Sequence, residues 1–258
     1  MSRNQTMTKL EDLKPLFYKL KMKAMYEQAE SMLENIETAR MTHTEWIKEL
    51  LEAEIVRRES NALNRRIKVA GIRYLDACMS GIDFDIDRGL DQTQILELGT
   101  CDWIRKHQNV IITGKTGCGK TWLAGALTHA ACCEGFTAKL IRMPQFLKEF
   151  SATSQQHPEF SKNLRELRKF DLLVFDEWGM GQLDAINRSD LLEIIENRRG
   201  SGSILVTSVL PVKSWSDYIQ DPTYADSILD RLVRNAHRIE MKGVSMRSLE
   251  RYGAIVKK

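Results

Sequence analysis

The residues from Asn109 to Thr121 constrain the fold more than any other stretch of this chain. Val110, Ile111 and Ile112 form an apolar, β-branched run, the pattern of a strand buried in a parallel sheet. Gly114-Lys115-Thr116-Gly117-Cys118-Gly119-Lys120-Thr121 follows and spells G-x-x-x-x-G-K-[ST]. Residues 122–133 then read as a helix. Strand, glycine-rich turn and helix in that order make a cradle for phosphate. Backbone N–H groups at a helix N-terminus point at an anion, and the helix dipole adds to the attraction. Glycines at 114, 117 and 119 let the backbone wrap closely. In this pattern Lys120 reaches the β- and γ-phosphates and the Thr121 hydroxyl binds Mg²⁺. Cys118, inside the loop, reads as a small variable residue.

A second motif depends on the first. Asp171-Leu-Leu-Val-Phe-Asp176-Glu177 is an apolar run ending in two acids. That places a carboxylate pair at the C-terminal end of a buried strand, where open α/β sheets bind ligands. Asp176 is suited to hold Mg²⁺, and Glu177 to orient and polarise an attacking water. Ser203–Ser208 is a further buried strand ending in hydroxyls, Thr207 and Ser208, placed to sense a γ-phosphate or simply to close the strand.

The rest of the chain divides into a helical front and an α/β body. Residues 8–38 read as one amphipathic helix. Thr44 reads as the N-cap of a second helix that runs into the sixties. Together they predict a small all-α domain over residues 1–80. From Arg57 to Arg73 it carries Arg57, Arg58, Arg65, Arg66, Lys68 and Arg73 against one acid, Glu59. Arg57, Asn61, Arg65 and Lys68 share a helical face, a candidate contact for a nucleic-acid phosphate backbone or an ordinary solvated face. The turn-rich stretch Gly81–Leu90 reads as a linker over 81–92, and 93–258 as the nucleotide-binding body. Within the body, 92–107 reads as a single helix. Strands are expected over 138–142 and 237–241, with helices over 144–150, 163–169, 191–199 and 226–234; 151–158 reads as a polar loop.

Composition excludes some classes. A net charge of +3 announces no global affinity for nucleic acid, so local clusters must be weighed instead. The five cysteines fit no zinc spacing, and with no export signal or long apolar run they point to a reduced cytoplasm and no membrane. No Asn-Lys-x-Asp string for guanine occurs. A small-molecule P-loop kinase would carry an arginine-rich lid rather than this acid pair.

Taken together the chain resembles the IstB-type transposition helper ATPases, AAA+ proteins related to the DnaC-type bacterial helicase loaders. The resemblance spans nearly the whole chain. It takes in the stretch from Phe84 to Leu90, the helix with Leu98 to Trp103, the P-loop and the Asp176-Glu177 pair. It continues through Thr207-Ser-Val-Leu-Pro211-Val-Lys-Ser-Trp215, Asp221-Pro222, Ile228-Leu-Asp-Arg-Leu232, Asn235-Ala-His-Arg-Ile-Glu240 and Ser245-Met-Arg247. The resemblance implies an AAA+ domain, a parallel sheet flanked by helices, behind the small helical domain. It implies an ATP- and Mg²⁺-dependent ATPase that assembles as a homo-oligomer on DNA, largely without sequence preference, remodels it and recruits or stimulates a partner transposase. A replicative helicase loader is the alternative in the same fold. By match, Arg231 resembles the arginine finger given in trans to the next subunit's ATP, and Arg247 the sensor-2 arginine. Val209 stands where many AAA+ relatives carry a polar sensor-1 residue, so Thr207 or Ser208 must serve, or the sensor is weak. The chain stops soon after Arg247, too early for a full helical C-terminal lid, which implies a site completed by a neighbour.

Overall fold

The computed structural model describes residues 9–151, 158–243 and 245–246. Arg247 and most of the loop expected over 151–158 lie outside the described residues. The chain divides into two compact units, Met1–Arg65 and Arg66–Lys258.

The first unit is helical: α1 (Leu10–Lys19), α2 (Lys23–Glu34), a 3₁₀ turn (Ile36–Arg40) and most of α3 (His43–Ala70). The single helix expected over 8–38 is broken at Lys21, which has φ +57, a left-handed conformation that cannot continue a helix. Periodicity alone missed the break because the apolar spacing carries on across it. Tyr26, Ala29 and Met32 of α2 are buried. Glu54 of α3 is buried too, accepting from the Ala24 amide at 3.1 Å and pairing with Arg58 at 2.9 Å. The helix α3 starts earlier than Thr44. Glu45 N donates to Thr42 Oγ1 at 3.3 Å while Thr42 N donates to Glu45 Oε2 at 2.7 Å, a reciprocal capping box.

The second unit begins inside α3 and takes in residues 81–92, the expected linker. Ile82 and Arg88 are buried there, and Arg88 O accepts from Lys242 N at 2.7 Å. The helix expected over 92–107 is two, α4 (Gln92–Gly99) and α5 (Asp102–Arg105), parted at Cys101 with φ +62. Then follow β1 (Asn109–Gly114), α6 (Lys120–Cys133), β2 (Ala138–Arg142), α7 (Met143–Ser151) and α8 (Pro158–Arg168). The remainder is β3 (Leu172–Trp178), α9 (Ala185–Glu196), β4 (Ser203–Ser208), α10 (Trp215–Ile219), α11 (Pro222–Val233) and β5 (Ala236–Met241).

The five strands form one parallel sheet in the order β2-β3-β4-β1-β5. Its central strands β1, β3 and β4 are apolar without alternation because both faces are covered, whereas the edge strands β2 and β5 carry exposed charges at Arg142, Arg238 and Glu240. Ile111, Leu173, Phe175 and Val206 pack in one core with Met143, Leu191, Ile194, Trp215, Ile228 and Leu232. Successive side chains point to opposite faces, so Val110, Ile112, Val174 and Leu205 face the other way. There α6 packs against β1, β3 and β4. Its small residues allow close approach: Ala124, Ala126 and Ala131 are fully buried, and a Cβ on Gly125 would lie 3.2 Å from Ala77 Cβ. This layout puts the C-terminal ends of β1, β3 and β4 side by side, beneath the start of α6. No described helix is long and apolar enough to cross a membrane.

Candidate active site

The loop between β1 and α6 depends on backbone conformations that favour glycine. Gly114 has φ +152, and a Cβ there would meet Met241 O at 2.4 Å. Gly119, the N-cap of α6, has φ +98. Lys120 begins α6 nine-tenths buried, and its Nζ donates to Gly114 O at 2.7 Å and Lys115 O at 2.8 Å. Burial pushes its pKa below the ordinary lysine value, opposed by the nearby Cys118 and Asp176. A cation in that position gains from any anion that enters the loop. Cys118 is buried, with its Sγ 3.9 Å from that ammonium.

Asp176 is fully buried at the end of β3. Its Oδ1 accepts from Thr121 Oγ1 at 3.0 Å and from Thr207 Oγ1 at 2.5 Å. Its Oδ2 is buried and has no protein partner among the described residues. A carboxylate oxygen so placed, beside a hydroxyl of the phosphate loop, suits a hard divalent cation that takes oxygen ligands and keeps several waters. The residues present therefore fit Mg²⁺.

Glu177 is presented by a bulge. Phe175 pairs with Val206 but Trp178 with Ser208, so β3 carries one extra residue over that interval. Glu177 takes φ +64, a costly conformation for a non-glycine residue. Thr207 secures it, since Glu177 N donates to Thr207 Oγ1 at 3.2 Å. The bulge turns the Glu177 side chain out of the β3 alternation. There Arg142, at the end of β2, grips the carboxylate through Nη2 at 2.8 Å and Nε at 3.3 Å. This bidentate bond holds the guanidinium above the ordinary arginine value. The pair is partly exposed, so opening it costs little. The Ser208 hydroxyl is engaged with the backbone, donating to Trp178 O at 2.8 Å and accepting from Leu210 N at 3.0 Å.

A cavity of about 500 Å³ joins these elements. Thr116, Gly117, Gly119, Lys120, Thr121, Glu177, Thr207 and Ser208 line it, as do Arg88, Trp122 and Met246. Lys115 contributes its carbonyl to the loop, and Cys118 packs beneath it. The structure thus brings together twelve of the sequence-predicted residues: the eight of the loop with Asp176, Glu177, Thr207 and Ser208. Arg231 is elsewhere. Its backbone oxygen accepts from Asn109 Nδ2 at 2.9 Å, at the start of β1, whereas the loop follows the end of that strand. A six-residue strand separates the two by roughly 17–20 Å. The Arg231 guanidinium pairs there with Glu196 and donates to Ser227 O at 2.7 Å.

The six basic residues around α3 are not equivalent. Arg57 pairs with Glu27 at 3.7 Å, Arg58 with Glu54, and Arg66 Nε donates to Cys132 O at 2.8 Å. Arg65 and Lys68 are exposed and form no ion pair among the described residues. Arg73 is exposed over the Tyr74 ring, 5.7 Å from its centroid. Sequence reasoning missed Arg142, whose position opposite Glu177 comes from β2–β3 pairing, Arg142 beside Asp176. No local signal could have found it.

A phosphate loop closing β1, with a buried acid and a bulged glutamate on β3 and a β4 hydroxyl between them, defines an ATPase of the AAA+ class. The chain belongs to the family of IstB-like ATP binding proteins, whose family model matches residues 16–254. It is 40% identical to y4pL of Sinorhizobium fredii, a protein named as an insertion sequence ATP-binding protein, over 85% of this chain and 89% of that one. Among solved structures it is similar to DnaI, with a TM-score of 0.55 and 17% identity over 65% of this chain and 92% of that one. The DnaC helicase loader is similar at a TM-score of 0.53 and 16% identity, covering 66% of this chain and 99% of the loader. At such identities these two likenesses speak for the fold alone.

Thr207 should be the clearest structural test of the site. Thr207→Val leaves Asp176 Oδ1 and the Glu177 amide each one partner short in a buried setting. It should lower the unfolding free energy by about 1–3 kcal/mol, read from urea melts, while Thr207→Ser stays near wild type. A valine variant as stable as wild type would show that the hydroxyl carries none of this.

Proposed function

We propose that this protein is an ATP-dependent helper of DNA transposition. It assembles on target DNA, remodels it, and recruits or stimulates a partner transposase. One observation supports the assembly: loop and acids stand at one end of the sheet and Arg231 at the other, so in this reading Arg231 acts on the nucleotide of the next copy. Likeness to insertion sequence proteins at 40% identity, against 16–17% for the helicase loaders, favours transposition over helicase loading.

The chemistry follows from the residues. ATP lays its phosphates along the loop amides and the N-terminus of α6. Lys120 exchanges the Gly114 and Lys115 carbonyls for β- and γ-phosphate oxygens. Thr121 and Asp176 would hold Mg²⁺, which when bound would supply positive charge to offset that of the phosphates. Thr207 fixes Asp176 and the Glu177 backbone, and with Ser208 stands at the γ-phosphate end as the sensor. Glu177, released from Arg142, orients a water and takes its proton as the water attacks the γ-phosphorus and ADP leaves. The neighbouring copy's Arg231, freed from Glu196, meets the charge on the transferring group. By resemblance Arg247 is the sensor-2 arginine; Ser245 and Met246, which lead into it, lie against the P-loop, Met246 N donating to Gly117 O at 2.9 Å.

DNA contact is assigned to the basic run on and after α3. Arg65, Lys68 and Arg73 bear most of it, because Arg57, Arg58 and Arg66 already have protein partners. Such contacts are to phosphate, so binding is mostly independent of sequence.

Lys120→Ala should abolish ATP binding, and Glu177→Gln should bind ATP but lose hydrolysis, measured by equilibrium binding and single-turnover assays. Near wild-type turnover in Glu177→Gln would remove Glu177 from catalysis.

Arg231→Ala should bind ATP normally and hydrolyse it about 10³–10⁵-fold more slowly. Mixing it with the equally inactive Lys120→Ala should restore part of the activity, since the latter lends an intact Arg231 to an intact loop. A mixture that co-assembles on native gels yet stays inactive would mean that Arg231 does not act in trans.

Charge reversal of Arg65 and Lys68 should weaken DNA binding on every sequence and flatten log K against log salt by about 2. An unchanged slope would take this face out of the interface.

A further inference from the structure

We propose that Arg88 is a nucleotide-binding residue of the ATP site, a cation that grips the α- and β-phosphates from the same chain. It comes from the segment ahead of the P-loop, where sequence reading expected a linker.

Arg88 is only 6% exposed, yet it has no ion-pair partner among the described residues. Charges this buried are ordinarily paired. Its Nη2 donates to Asp83 O at 2.5 Å, and its Nε is buried without a partner among the described residues. The acids of its own loop are turned elsewhere: Asp83 Oδ1 accepts from Asp85 N at 2.9 Å and Asp87 Oδ1 from Gly89 N at 3.2 Å. The guanidinium instead lines the nucleotide cavity, with Nη1 3.4 Å from where a Cβ on Gly119 would sit. Gly119 caps the positive end of α6, and Lys120 follows it. A buried guanidinium beside a helix N-terminus and an ammonium is repelled by both. The arrangement becomes favourable only when an anion lies among the three. The loop amides around Gly119 cradle the α- and β-phosphates in this motif, whereas Glu177 and Thr207 mark the γ-phosphate end. Arg88 therefore serves ATP and ADP alike.

The residue is also held ready. Arg88 O accepts from Lys242 N just past β5 at 2.7 Å, and a Cβ on Gly243 would stand 2.7 Å from Asp87 O. The segment is clamped to the end of the sheet, so little ordering remains to be done on binding.

The inference rests on the ATP-site reading, and its test separates the two. MgATP and MgADP affinities, steady-state kinetics and melting without nucleotide are measured for wild type, Lys120→Ala, Arg88→Met and Arg88→Lys. Arg88→Met keeps the apolar stem and removes the charge. It should weaken ATP and ADP by the same factor, about tenfold to a hundredfold, raising KM with kcat unchanged. Its melting temperature without nucleotide should hold or rise, because a repelled cation has gone. Arg88→Lys should lose less affinity than Arg88→Met. Arg88→Gln gives the same measurement should the methionine variant not fold. Unchanged ADP affinity overturns the proposal. So does a lost affinity that comes with a lowered melting temperature and is equally large in Arg88→Lys, which would make Arg88 a structural tie. If wild type binds neither nucleotide, or Lys120→Ala binds both as wild type does, the ATP-site reading fails instead.

Discussion

The burial of one carboxylate, Asp176, is the constraint on which the rest of the site depends. An isolated ionised carboxylate inside a protein is costly unless its oxygens are satisfied. One oxygen of Asp176 is met by two hydroxyls, Thr121 from the phosphate loop and Thr207 from β4. The other is left without a protein partner among the described residues. These contacts tie three sheet elements to one atom: the loop after β1, the end of β3 and the end of β4. The strand order makes them possible, since β4 lies between β1 and β3.

Thr207 links this acid to the next one. The hydroxyl that bonds Asp176 also accepts from the Glu177 amide, so the left-handed turn at Glu177 is held by the group that holds the buried acid. A strained conformation persists where its surroundings over-determine it. Here the surroundings are a bulge, a threonine and an arginine from β2. The strain sends two consecutive acids in different directions, one into the sheet and one toward the cavity and Arg142.

Charge is distributed along the sheet with the same economy. The loop end gathers Lys120, Arg88 and the start of α6. The opposite end holds Arg231 against Glu196. Because a rigid strand lies between, neither end can complete the other within one chain. In the proposed function that distance makes hydrolysis a property of assembled copies, so DNA can govern turnover by gathering them.

Much of this was legible in the sequence. The loop from Gly114 to Thr121, the acids Asp176 and Glu177 and the strand around each follow from local pattern, since the nearest neighbours in the chain dictate a buried strand or a glycine turn. The α/β class was legible for the same reason. Breaks at Lys21 and Cys101 were not, because a single left-handed residue interrupts a helix without interrupting its apolar spacing. Helix α3 was found, but not that Arg57, Arg58 and Arg66 on it are already engaged. Pairings between distant residues were decided only in three dimensions. Arg142 meets Glu177 because β2 lies beside β3, Thr207 meets Asp176 because β4 lies beside β3, and Arg88 meets Gly119 because its segment is fastened to the end of β5. A sequence states which groups a chain carries and how each short stretch folds. Which groups share a cavity depends on the packing of the sheet and helices, where contacts between residues far apart in the chain outweigh local preference.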